Sequence, residues 1–127
     1  MPEHQLFEYA VIRLVPRVER EEFLNIGVIL LCRQQKFLEI RYELSETRIK
    51  AISDEVDFQE IGEYLNAFEK ICKGGPNGGP IGQLTIAERF RWLTAARSTL
   101  IQTSAVHPGL CINAKESLAR LFEQLVL

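Results

Sequence analysis

From position 24 the chain reads Leu-Asn-Ile-Gly-Val-Ile-Leu-Leu-Cys-Arg, apolar almost throughout, rich in branched side chains and short enough to be a strand rather than a helix. Residues 6–15 have the same character, and both runs are expected to be central strands. Residues 36–42 follow the polar pair Gln34-Gln35, with Leu38, Ile40 and Tyr42 alternating against Phe37, Glu39 and Arg41. That alternation predicts a hairpin between the second and third strands, and so an antiparallel meander in the first half.

At Leu44-Ser45 the period changes. Ser45 can cap a short helix while Leu44 packs on Ile49. Asp57 can cap a longer one, with Glu60 reaching back and Phe58, Ile61, Leu65, Phe68 and Cys72 at three- and four-residue spacing on one face. Lys73 is followed by Gly-Gly-Pro-Asn-Gly-Gly-Pro, where glycines and prolines deny helical order and predict a flexible loop at 74–80. Thr85 and Glu88 form a capping-box pattern for a third helix ending near Ala95 or Ala96. Residues 98–103 read as a fourth strand and Val106-His107-Pro108-Gly109 as a turn. Asn113, with Glu116, opens a last helix whose stripe is Leu118, Leu121, Phe122 and Leu125.

Strands precede helices and one strand returns late, which predicts an α+β fold. The expected architecture is an antiparallel sheet of about four strands, a meander of three plus one late strand, with three to four helices mainly on one face. No repeat, coiled coil or second domain is visible, so residues 1–127 are read as a single domain.

Composition narrows the function classes. Fifteen basic against seventeen acidic residues weigh against broad nucleic-acid binding. The N-terminus has no signal-type pattern and no apolar run approaches the length of a membrane span, so a cytoplasmic protein is expected. Cys32, Cys72 and Cys111 are far apart in unlike contexts and read as buried thiols rather than a disulfide framework. With two distant histidines they match no metal-ligand spacing, and neither a metal nor a cofactor is expected.

The most distinctive chemistry lies at 85–103, which carries Arg89, Arg91, Arg97, the only tryptophan, Trp92, and five hydroxyl side chains. Arg97 followed by Ser98 and Thr99, where helix gives way to strand, could grip an anion. The same arginines could equally tie a small domain together through packed stems and ion pairs. Arg13, in the first strand, is expected opposite Asn25 if the first two strands pair, with Gly27 leaving space on the same face for a small cavity. The plainer reading makes that face the wet side of the sheet and Gly27 a bulge or a close approach. His107 could act as a base only with a nucleophile and an orienting carboxylate, which the sequence does not place. The acidic run at 19–22, broken by Arg20, reads as a solvated loop or a docking edge.

Three stretches together resemble a bacterial family of a domain of unknown function. They are Phe7-Glu8-Tyr9-Ala10-Val11-Ile12-Arg13-Leu14-Val15-Pro16, Glu22-Phe23-Leu24-Asn25-Ile26-Gly27-Val28-Ile29-Leu30, and Arg89-Phe90-Arg91-Trp92-Leu93 continuing into Ala96-Arg97-Ser98-Thr99 and His107-Pro108-Gly109. The family pattern has proline where this chain has Ala96, so the helix end is less sharply fixed here. The resemblance implies a small bacterial protein often encoded beside HipA-like serine/threonine kinases, hence a partner or modulator of such a kinase. It implies no activity and no catalytic residue.

The leading expectation is a non-enzymatic interaction or regulatory domain acting with a HipA-like kinase, through a surface of Arg13, Asn25, Arg91 and Arg97. The alternative is a pocket for a phosphate-bearing small molecule or nucleotide, formed by Arg97, Ser98, Thr99 and Arg13 with the glycine-rich loop as lid. A phosphate-ester enzyme using Arg97 and His107, and a nucleic-acid binder stacking bases on Trp92, stand behind these.

Overall fold

The chain was analysed as a computed structural model, which describes residues 3–16, 22–97 and 99–127. Ser98 and residues 19–21 of the acidic run lie outside the described residues. Three antiparallel strands open the fold: β1 (Gln5–Leu14), β2 (Leu24–Cys32) and β3 (Phe37–Tyr42). Then come α1 (Glu46–Ile52), α2 (Phe58–Lys73) and α3 (Ile86–Leu93), two short strands β4 (Ile101–Thr103) and β5 (His107–Cys111), and α4 (Ala114–Leu125). The sheet runs β3-β2-β1-β4, and β5 shares with β4 the outer side of β1.

The capping residues legible in the sequence start the helices. Asp57 accepts from the Gln59 and Glu60 amides, Asn113 from Glu116, and Thr85 and Glu88 complete a capping box at α3. Helix α3 ends at Leu93, earlier than expected, with Thr94 as its C-cap. The fourth strand is shorter than the sequence suggests.

The predicted turn at 106–109 is instead the start of β5, with Tyr9, Glu8 and Phe7 opposite His107, Pro108 and Gly109. Proline survives there because β5 is an edge strand whose missing N–H faces outward. Glycine is required at 109 because any side chain would run into the Phe7 ring.

Two cores form, one on each face of the sheet. Ile12, Leu14, Ile29 and Leu31 pack with Ile61, Leu65, Phe90 and Leu93 beneath α1, α2 and α3. Phe7, Val28, Leu30 and Cys32 pack with Leu118 and Phe122 of α4 on the other side. The near-continuous apolar run of β2 follows from burial on both faces. Each fully buried leucine or isoleucine contributes about 2 kcal/mol.

Candidate functional site

Arg13 does lie opposite Asn25, and a bulge follows directly, with Ile12 opposite Gly27. The extra residue breaks the alternation, so Val28, not Gly27, follows Asn25 on the α4 face. The space expected above Gly27 is filled by β3: a Cβ there would sit 2.8 Å from the Arg41 carbonyl oxygen and 2.9 Å from the Tyr42 Cβ. No hollow can open at that point. Arg13 instead lays its guanidinium 4.2 Å from the centre of the Phe23 ring. Asn25 donates through Nδ2 to the Leu125 carbonyl at 3.1 Å, at the end of α4. Its Oδ1 and the Arg13 Nε are buried and have no hydrogen-bond partner among the described residues.

The other arginines sit across the sheet, each engaged with the protein itself. Arg89 is buried and donates to three carbonyls, of Leu84, Ile71 and Cys72, at 3.0, 2.9 and 2.7 Å. Two of those carbonyls belong to the last turn of α2, whose partial negative charge a guanidinium complements. Arg97 does the same for α3, donating to the Leu93 and Trp92 carbonyls while stacking over the Trp92 ring at 4.6 Å. Arg91 pairs with Glu8 of β1 at 2.8 Å. The Thr99 hydroxyl donates to the Ile101 carbonyl at 2.8 Å. His107 lies exposed on β5 with its ring 5.5 Å from that of Tyr9.

The expected site residues therefore fall into separate groups. Arg13, Asn25 and His107 belong to the α4 face, while Arg89, Arg91, Trp92 and Arg97 belong to the face beneath α3. The glycine-rich loop is tied back onto itself and α2: the Gly75 amide bonds the Gly82 carbonyl at 2.9 Å and the Gly74 amide bonds Lys70 at 3.0 Å.

All three cysteines are buried free thiols. Burial pushes the Cys72 thiol from its ordinary 9.0 up to about 12, the nearby Arg89 guanidinium opposing only in part. Burial likewise raises Cys111, reinforced by the neighbouring Cys32. Neither is poised as a nucleophile. Among the described residues no group of three or more histidine, cysteine or acidic side chains could hold a metal ion. No helix of the described residues is long and apolar enough to cross a membrane.

Sequence reasoning missed several positions that the fold uses. Gln35, in the β2–β3 turn, accepts from the Ala114 amide and donates to the Ile112 carbonyl, both at 2.9 Å, fixing the start of α4. Arg48 donates to the Val126 carbonyl at 2.9 Å, fixing its end. Ser104 joins β4 to β5 by bonding Val11 through both backbone and hydroxyl. Such long-range contacts leave no local pattern.

An exposed apolar patch was also missed. Leu6 and Leu110 stand directly opposite each other on β1 and β5, 58% and 62% exposed, and Ile112 beyond them is 52% exposed. Alternation with Phe7 and Cys111, which face α4, puts Leu6 and Leu110 on the opposite side of the sheet. A hollow of about 240 Å³ lined by Leu6, Glu8, Leu31 and Arg33 adjoins the pair.

Compared with known proteins, residues 9–126 match the family described as "Protein of unknown function (DUF3037)". No curated protein and no solved structure matches the chain.

Proposed function

We propose, for a chain that belongs to the DUF3037 family of proteins of unknown function, the role of a non-enzymatic interaction or regulatory domain acting with a HipA-like kinase. The observation that carries the reading is the pair Leu6 and Leu110 with Ile112, large apolar side chains left open on a sheet face beside a shallow hollow. A small soluble domain gains nothing from exposing neighbouring leucines unless something covers them. The Arg91–Glu8 pair gives that patch a polar rim, as binding surfaces have. The kinase as partner comes from the family resemblance and its gene neighbours, an associational warrant.

The engagement of Arg89 and Arg97 with backbone carbonyls weighs against an anion pocket at 97–99. A second reading keeps a specific support elsewhere. The buried Arg13 Nε and Asn25 Oδ1 offer one donor and one acceptor to a small polar ligand on the α4 face.

The test is calorimetric titration of the purified chain with the neighbouring HipA-like kinase at micromolar concentration, with and without nucleotide. A stoichiometric complex weakened at least tenfold by Leu110→Asp is expected. Two proteins that stay separate under both conditions overturn the proposal.

A further inference from the structure

We infer that the open edge of β3 takes up an extended segment of a partner protein as an added strand, with its side chains entering the cleft between that edge and the end of α2. The inference rests on the reading of the chain as an interaction domain, but it uses the edge of the sheet remote from Leu110.

The hydrogen-bond register decides which groups are free. The Glu43 amide bonds the Ile26 carbonyl at 2.8 Å, so within the β2–β3 ladder the bonded pairs continue through Arg41, Glu39 and Phe37. Leu38, Ile40 and Tyr42 then turn their N–H and C=O groups outward, and none of these has a partner among the described residues. Unpaired backbone groups in a row along an edge form a template for another strand.

The two sides of the sheet are managed differently. On the far side β4 has only three residues, and β5 carries Pro108, which has no N–H to offer. Strand β3 has six residues with neither proline nor bulge.

The cleft of about 520 Å³ beside β3 is lined by residues 36–40 without a break. Consecutive strand residues alternate between faces, so a hollow touching all of them opens at the edge itself. Its far wall is Glu69, Cys72 and Lys73 of α2 with Ile86 and Arg89 of α3. Leu38 and Ile40 project toward this wall, and the added strand would lay alternate apolar side chains over them while its backbone bonds β3. At the hairpin end Lys36 forms no ion pair among the described residues, whereas the exposed Lys73 is paired to the half-buried Glu69, which also lines the cleft. The fitting segment is therefore extended, apolar at alternate positions and acidic where it passes Lys36.

The test is selection of a phage-displayed library of random seven-residue peptides on the full chain, followed by binding of the enriched peptides as synthetic compounds. The expected peptides alternate apolar residues, carry an acidic one at one end, and slow hydrogen exchange of the Leu38, Ile40 and Tyr42 amides. Ile40→Pro, which removes an outward N–H together with the Ile40 side chain but no hydrogen bond of the β2 ladder, should weaken them at least tenfold. N-methylation of alternate peptide amides should do the same with the protein unchanged, so the answer does not depend on the variant folding. A library with no enrichment, N-methylated peptides that bind equally well, or protection appearing away from β3 overturns the inference. Should that happen while the kinase still binds in a manner sensitive to Leu110→Asp, the interaction-domain reading survives; loss of both removes both.

Discussion

Arg89 shows how an arginine in a chemically distinctive stretch can be absorbed by the fold. Its guanidinium holds two carbonyls at the end of α2 and one before α3, inside the protein. Arg89→Ala would leave those acceptors buried and unmet, and should lower stability by roughly 3 kcal/mol in denaturant unfolding. Arg89→Lys should restore little, because an ammonium cannot reproduce the fork. Arg97→Ala, in a more open setting, should cost about 1 kcal/mol. Cys72 gives a pH signature. Its thiol is held protonated in the fold, so the folded state retains a proton that the unfolded chain has lost between pH 9 and about 12. Stability should therefore fall across that window, and Cys72→Ala should show a shallower decline of the urea midpoint with pH. At this scale the sequence was legible for the caps, since Asp57, Thr85 and Asn113 bond amides two or three residues on. It was silent on Gln35 and Arg48, whose partners lie more than seventy residues away.

Among the elements, β5 is the instructive departure. His107-Pro108-Gly109 has the composition of a turn, and nothing local says that the edge of β1 stands ready to receive it. The reason for the glycine is the Phe7 ring, a contact between positions far apart in the chain. Gly109→Ala should destabilise by roughly 1–3 kcal/mol through overpacking. Combined with Phe7→Leu it should cost less than the sum of the two, which a double-mutant cycle in denaturant would read. The side taken by α4 was likewise hidden. Its stripe of Leu118, Leu121, Phe122 and Leu125 announces a buried face but not which sheet surface meets it, and the clue lay in β2, apolar on both sides. The bulge at Ile26 and Gly27 moved Gly27 off the face of Asn25, and a bulge leaves no periodic trace.

For the whole molecule, the sheet is the partition that matters. It separates Arg13 and Asn25 from Arg91 and Arg97, so the arginine surface expected from the sequence cannot act as one patch. The candidate surfaces that emerge instead, the leucine pair on β1 and β5 and the open side of β3, stand at opposite ends of the strand order. Substitutions at the two should therefore be independent: Ile40→Pro should leave affinity for the proposed kinase partner unchanged and Leu110→Asp should leave peptide affinity unchanged, each measured by titration.

Pro108 also limits what copies of this chain can do to one another. Endless stacking of sheets needs two receptive rims on every unit, so that each newcomer exposes the next landing place. Here one rim is interrupted by a residue without a donor and the other is open, so two copies meeting at β3 would use up their receptive sides on each other. Growth through β3 alone ends at a pair, because that strand has a single free side.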